Sequence, residues 1–354
     1  MDSDGFMCYS SDVIKTSSEW SLLTVGCSDP NPYMKNFHHN RNNPNRGHSP
    51  YRPSRPAPAY ANRQIDEAEK KFLAGIPVDP SPRICLEDGS KELTMRAMDL
   101  ICPIGMGQRG LIVAPPGSGK TTFLKHICQA VAKSNPKIKL YCLLIDERPE
   151  EVTDFRRVIP GEVRYSSSDQ SYENHIATAD ELMRQVFKEA AAGENVMVVI
   201  DSLTRLARVH NAQRPSGGRT MSGGVDTRAM EVPRRIFGSA RKIENGGSLS
   251  ILATILIETG SRMDEVIFEE FKGTGNMEVV LSREIANHRI FPAIDIAKSN
   301  TRKSELLLKP DELKRIEQLR RTLAGLSPVE AAQTLVKKLE TYPTNKELLS
   351  TIAI

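Results

Sequence analysis

The sequence predicts an α/β fold: a mostly parallel sheet covered by helices on both faces. Three observations carry this. From about residue 83, short apolar runs of strand length alternate with stretches of helical periodicity. A glycine-rich turn joins one such run to a helix. A second apolar run ends in an aspartate, at the end of a strand where α/β proteins keep their chemistry.

Residues 1–64 form a separate segment. Between residues 30 and 64 the chain is rich in Asn, Pro and Arg, lacks acidic residues and has few aliphatics, so it predicts a disordered arm. Its arginines (Arg41, Arg46, Arg52, Arg55, Arg63) alternate with Tyr33, Phe37, Tyr51 and Tyr60. That pattern fits loose single-strand contacts through phosphate pairing and base stacking. It fits a solvated linker equally well.

Residues 65–354 are read as one large domain. The runs Gly110–Ala114, Leu140–Ile145, Val196–Ile200 and Leu249–Ile257 read as buried strands. In residues 171–192, Ile176, Ala179, Leu182, Met183, Val186, Phe187 and Ala190 follow one helix face. Residues 309–354 read as small helices broken at Ser327-Pro328 and Pro343. No internal repeat is present.

Composition excludes little. The 354-residue chain is 39% hydrophobic and 26% charged, with a net charge of +4, too small to argue for nucleic acid by itself. The six cysteines make no CxxC pair and no zinc spacing, so reduced, buried thiols are expected, as at Cys142. The first residues lack a basic region followed by an apolar core, and no apolar run reaches about 18 residues. No membrane association and a cytoplasmic location are therefore expected.

The strongest local signal is Ala114-Pro115-Pro116-Gly117-Ser118-Gly119-Lys120-Thr121-Thr122. It follows a strand and opens a helix, the setting in which backbone N–H groups and the positive helix end converge on a phosphate. Lys120 is expected on the β- and γ-phosphates and the Thr121 hydroxyl on Mg²⁺. Ala114 stands where the general pattern has Gly. Downstream, Val198-Val199-Ile200-Asp201-Ser202 ends in an acid suited to hold Mg²⁺ through water. A third strand ends Leu144-Ile145-Asp146-Glu147-Arg148-Pro149-Glu150-Glu151. A carboxylate at its tip, on the strand expected beside the phosphate loop, can orient or deprotonate an attacking water. Asp146, Glu147, Glu150 and Glu151 compete for that role, and the helix after Pro149 claims the last two. Residues 214–226 are long and glycine-rich for a mere connection. Residues 258–262, Glu-Thr-Gly-Ser-Arg, end in a cation. Both loops are expected on the strand-to-helix side of the sheet, where they can line one polymer track.

With these residues in view, the chain resembles the bacterial transcription-termination factor Rho family. The likeness covers Arg109–Pro116, Ile145–Thr153, Asp201–Arg208, Gly223–Asp226, Met263–Val266, Glu269–Met277, Phe291–Asp295 and Thr301–Lys303. It runs from about residue 83 to the C-terminus. The Asp-Glu-Arg-Pro-Glu-Glu and Phe271–Asn276 strings are far more specific than a phosphate loop. The resemblance implies a RecA-like P-loop ATPase core that binds ATP and Mg²⁺, forms a homohexamer, translocates on RNA and partners RNA polymerase. It implies Glu147 as the catalytic carboxylate, Arg148 as a switch at the subunit interface, Asp201 as the Mg²⁺-side acid and Arg205 beside the phosphates. Arg302 is implied as an arginine finger acting on the next subunit's ATP, with Lys272 also in the catalytic group and Phe291 stacked on adenine. Pro115, Pro116, Gly117, Ser118, Gly119, Lys120, Thr121 and Thr122 are expected to hold the nucleotide. Arg219, Ser222, Gly223, Gly224 and Val225 of one loop, with Gly260, Ser261 and Arg262 of the other, are implied to grip RNA in the ring's central hole.

The chain departs from the family pattern twice. Before residue 64 only Asp4–Met7 with Ser11–Ile14 faintly resembles the family's oligonucleotide-binding barrel, so selective RNA loading is in question. Gly117-Ser118 replace a Lys-Ala pair, removing one cation near the phosphates. Rotary-ATPase-like subunits and RecA-type recombinases share the phosphate loop but lack the Asp-Glu-Arg-Pro-Glu-Glu string. A non-catalytic nucleotide binder is the remaining alternative.

Overall fold

The computed structural model describes residues 66–87, 92–213 and 222–353. The expected arm, residues 1–64, lies outside the described residues, as do Arg219 and the rest of 214–221. The chain enters through α1 (Glu67–Ala74), β1 (Pro77–Val78), β2 (Arg83–Ile84), α2 (Leu93–Ile101) and β3 (Ile104–Gly105). The central alternation follows: β4 (Arg109–Ala114), α3 (Lys120–Ser134), β5 (Lys139–Glu147), α4 (Pro149–Val158), β6 (Glu162–Ser167), α5 (Tyr172–Ala191), β7 (Asn195–Asp201) and α6 (Leu203–Ala212). After it come α7 (Glu231–Gly238), β8 (Arg241–Ile243), β9 (Ser248–Leu256), α8 (Arg262–Lys272), β10 (Met277–Val280), α9 (Arg283–Asn287) and β11 (Asn300–Thr301). Three helices close the chain: α10 (Pro310–Ala324), α11 (Pro328–Thr341) and α12 (Asn345–Ser350).

The main sheet runs β11-β10-β4-β9-β7-β5-β6. Every pair from β10 to β6 is parallel, and β11 lies antiparallel on β10. All the central strands therefore end at one edge, which gathers the residues following Ala114, Glu147, Asp201 and Leu256. The apolar runs form these strands because both faces are covered. Leu140, Cys142 and Leu144 of β5 pack in one core with Phe123, Ile127 and Cys128 of α3. On α5, all of the apolar positions expected on one face are buried. Pro310 and Pro328 open α10 and α11, and Pro343 precedes the Thr344 cap of α12; Ser327 caps α11 in a capping box with Glu330.

Cys102, Cys128 and Cys142 are buried, and Cys85 is exposed; no disulfide joins them. Burial pushes the Cys102 thiol up to about 12, which fits inert packing. No described helix is long and apolar enough to cross a membrane.

Candidate nucleotide site

The phosphate loop leaves β4 at Ala114 and enters α3 at Lys120. Gly117 and Gly119 take left-handed backbone angles, φ 78° and 88°, which a side chain would strain. Ser118 is buried and its hydroxyl donates to the Pro115 carbonyl (2.8 Å), closing the loop on itself. The first N–H groups of α3 have no partner within the helix and face the loop, as a phosphate requires.

Lys120 joins the two acids singled out in the sequence. Its Nζ lies 2.5 Å from Asp201 Oδ1 and 3.3 Å from Glu147 Oε1. Both carboxylates are almost fully buried, Glu147 at 4% and Asp201 at 2% exposure. Arg205, in the first turn of α6, approaches Glu147 Oε1 at 3.3 Å and the Asp146 carboxylate at 3.1 Å. Burial, and then Asp201, push the Glu147 carboxyl above its usual range despite Lys120 and Arg205. Burial works against the Lys120 charge as well, but Asp201 and Glu147 outweigh it and raise its pKa. Two buried acids and two partly exposed cations thus share one pocket.

The strand carrying Glu147 is not the neighbour of the phosphate-loop strand, contrary to expectation. β4 pairs with β9 and β10, and β9 and β7 stand between it and β5. Glu147 reaches Lys120 because β5 is long and carries a bulge. Ile145 pairs Ser166 and Glu147 pairs Ser167, so Asp146 is an extra residue, with φ 57°. Of the four acids that competed, Glu147 alone enters the pocket with Lys120. Asp146 holds Arg205, while Glu150 and Glu151 lie in the first turn of α4, behind Arg148 at its N-cap. The exposed Arg148 pairs with Glu151 at 3.8 Å.

Beside the loop lies a cavity of about 500 Å³, lined by Gly117, Gly119, Thr122, Phe123, Phe291 and Pro292 among others. Its size suits a nucleoside. Phe291 is 48% exposed, an unusual state for a large apolar ring, and its edge lies 3.5 Å from where a Cβ on Gly119 would sit.

Lys272 and Arg302 are not part of this pocket. Arg302 follows β11, whose Thr301 pairs Met277, which in turn pairs Gly110 at the start of β4. About 13 Å of strand separates that level from the phosphate loop. Lys272 ends α8, where it lies over the Phe268 ring and lines a separate cavity with Val113, Ile257 and Glu258. Both cations are exposed, and Arg302 stands at the opposite edge of the sheet.

The two loops do meet. A Cβ on Gly223 would lie 2.8 Å from the Arg262 carbonyl, so the turn Ser222–Gly224 packs on the start of α8. Gly224, Gly260 and Arg262 are exposed, Ser261 is half-buried, and Val225 is buried beneath them. One face of α6 ties this assembly to the pocket. Arg205 reaches Glu147, Arg208 holds the buried Asp264 through Nε (2.7 Å), and Asn211 Nδ2 donates to the Gly224 carbonyl (3.1 Å). The i, i+3, i+6 spacing of three polar residues was visible in the sequence and could have marked this face. Thr254 also escaped notice: buried in β9, its hydroxyl donates to Asp201 Oδ1 at 2.7 Å.

Among the described residues no group of three His, Cys, Asp or Glu can hold a metal. A hard cation here would draw one oxygen from Thr121, water from the side of Asp201, and the rest from phosphate. That mixture suits Mg²⁺.

Residues 94–301 match the ATP synthase alpha/beta family, nucleotide-binding domain. A transcription termination factor Rho from Micrococcus luteus is 49% identical over 278 residues, covering 78% of this chain and 40% of that protein. One from Karelsulcia muelleri is 48% identical over 283 residues, covering 80% and 75%. The chain thus spans between two fifths and three quarters of these relatives. Among solved structures, a prototypical ATPase from the type III secretion system of pathogenic bacteria superposes with a TM-score of 0.63 at 23% identity, covering 78% of this chain and 85% of that one. This likeness shows the fold, a RecA-like P-loop ATPase core. On sequence identity and coverage together, the chain belongs to the transcription termination factor Rho family.

Proposed function

We propose that the chain is an ATP-hydrolysing, RNA-stimulated translocase that works as a homohexameric ring and promotes transcription termination. The observation that carries this is the division of its cations. Lys120 and Arg205 sit with Glu147 and Asp201 at the phosphate loop, whereas Arg302 follows β11 at the far edge of the sheet. A group about 13 Å of strand away cannot serve its own subunit's phosphates. It can serve those of a neighbour in a ring.

ATP would enter with its base on Phe291 and its phosphates on the loop from Pro115 to Thr122. The triphosphate replaces the carboxylates as counter-ion of Lys120, whose Nζ turns from Asp201 and Glu147 to the phosphates. Glu147, freed of that cation and already raised in pKa, accepts the proton of the attacking water. Arg205 keeps its carboxylate in place. Thr121 and Asp201 would hold Mg²⁺, which neutralises phosphate charge when bound. Arg302 from the next subunit stabilises charge on the transferring phosphoryl group, typically worth about 10³–10⁵ in rate. The Ser222–Val225 and Gly260–Arg262 loops face RNA, and α6 relays their position to Arg205. RNA polymerase is the partner expected of a terminator.

The test is ATP hydrolysis with poly(C), mixed RNA, single-stranded DNA or no nucleic acid, across a salt series. RNA stimulation that falls with salt, as phosphate contacts do, and that Arg302→Ala abolishes, is the expected result. Hydrolysis unaffected by RNA, or undiminished in Arg302→Ala, refutes the proposal.

A further inference from the structure

At the edge of the sheet opposite the phosphate loop lies another cavity, of about 590 Å³, that the proposed function leaves unused. Its wall carries Arg109, Arg241, Asn276 and Asp79. Arg109 opens β4 and Arg241 opens β8, and both are anchored on the residues between α7 and β8. The Arg109 guanidinium donates to the Ala240 carbonyl (3.0 Å) and the Thr274 carbonyl (3.1 Å). The Arg241 guanidinium donates to the Ser239 carbonyl (3.2 Å) and the Leu73 carbonyl (3.5 Å). Arg302 stands beside them through Asn276. The Asn276 backbone carbonyl accepts the Arg302 N–H (2.9 Å), and its side-chain oxygen accepts the Arg109 N–H (2.9 Å).

What these cations lack is an acid. Carbonyl dipoles hold the half-buried guanidiniums of Arg109 and Arg241 in place but leave their charge uncompensated, and each keeps N–H groups unspent. Among the described residues, Arg109, Arg241 and Arg302 form no ion pair. Asp79, the acid in the wall, is taken by Lys303, whose Nζ lies 2.9 Å from each of its oxygens. Asn276 adds a donor rather than an acceptor. Its Oδ1 is occupied by the Arg109 N–H and by Gln108 Nε2 (2.7 Å), which leaves the amide NH₂ at the wall. Burial, and then Arg302, lower the pKa of Arg109; burial, and then Arg109, lower that of Arg241. Half-buried like charges that repel one another cost the fold stability, and an anion in the cavity relieves that cost. Guanidinium forks match phosphate oxygens two at a time.

We propose that Arg109 and Arg241, with the side-chain amide of Asn276, form a second anion site on this chain, which takes free phosphate or diphosphate. The site itself needs nothing from the phosphate loop. Its consequence for activity rests on the reading of Arg302 given above. An anion here offers Arg302 a counter-ion within its own subunit and draws it from the neighbour's nucleotide. Inorganic phosphate, a product of the proposed hydrolysis, then inhibits away from the loop that released it.

The experiment is calorimetric titration of inorganic pyrophosphate into the full chain saturated with ADP, so that the phosphate loop is already filled. Wild type is expected to bind it, with an affinity that falls as chloride is raised. Arg109→Gln and Arg241→Gln are each expected to weaken binding about tenfold or more, the worth of one hydrogen bond to a charged group. Arg241 has the longer carbonyl bonds, so its variant decides the matter if Arg109→Gln fails to fold. No binding to ADP-saturated wild type, which needs no variant to measure, overturns the proposal. Binding that Arg241→Gln leaves unchanged overturns it too, since a purely structural role would lower Tm and not the affinity for pyrophosphate. In steady-state ATP hydrolysis the same anion is expected to lower kcat and leave the KM for ATP unmoved. A rise in KM alone puts the anion on the phosphate loop and overturns the proposal. If ADP does not bind at all, the nucleotide reading fails, and the pyrophosphate titration of the variants still decides this one.

Discussion

Replacing Lys120 by Met tests the pocket's electrostatics without any ligand. The substitution leaves Glu147 and Asp201, both almost fully buried, without the cation that bridges them at 3.3 and 2.5 Å. Removing one partner of a buried ion pair costs about 3–5 kcal/mol, because the other charge stays desolvated. Here Arg205 remains on Glu147 and the Thr254 hydroxyl on Asp201, so the lower end, about 3 kcal/mol, is expected. For a domain of this size that lowers Tm by about 6–10 °C. The stranded carboxylates can escape the cost by taking up a proton, so the loss should shrink as pH falls from 8 to 5. Adding Asp201→Asn to Lys120→Met should recover about half of it, since one stranded charge is gone. Thermal unfolding of wild type and the two variants across pH is the assay. A Lys120→Met protein as stable as wild type at pH 8, or one whose loss does not change with pH, would refute the account of the pocket as a charge-balanced cluster.

Other consequences can be measured alongside. Glu147 binds its proton more tightly folded than unfolded, so its ionisation costs stability as pH rises from its ordinary value of 4.5 through the raised folded one. Denaturant unfolding of Glu147→Gln should show a smaller decline in stability over that window than wild type. Thr254→Val removes a hydrogen bond to a buried carboxylate and should cost about 1.5–3 kcal/mol in chemical denaturation. Gly119→Ala puts a methyl 3.5 Å from the Phe291 ring at a left-handed backbone position. Calorimetry should find about 1–2 kcal/mol lost in stability, and nucleotide titration an affinity reduced more than tenfold.

What could be read from the sequence follows from what each element buries. β4, β5, β7 and β9 lie inside the sheet, covered on both faces, so they appear as uninterrupted apolar runs with nearly correct ends. β6 is an edge strand with Arg164 and Tyr165 exposed, and β10 and β11 are four and two residues long, too short to carry a pattern. Strand order was not legible, because it depends on where each crossover helix returns. The expectation that Glu147's strand adjoins β4 failed for that reason. At the site, the phosphate loop and the two acids have local signatures. Thr254 has none: a hydroxyl inside an apolar run looks like any β-branched strand residue until Asp201 is placed across from it. Arg208 and Asp264 are 56 residues apart and meet only through the packing of α6 and α8.

The extra residue in β5 decides on which side of the sheet its acid stands. Side chains along a strand alternate strictly, and Leu140, Cys142 and Leu144 face the layer of α3, the helix that bears Lys120. By that parity position 146 belongs to the α3 side and position 147 to the opposite one. The inserted Asp146 switches even for odd, which is how Glu147 comes to face Lys120. Deleting Asp146 would therefore do more than shorten a turn: it would restore the alternation and carry the acid through the plane of the sheet. A length change of one residue here weighs as heavily as replacing Glu147 itself, so the strand's residue count belongs to its chemistry as much as the identity of its last side chain.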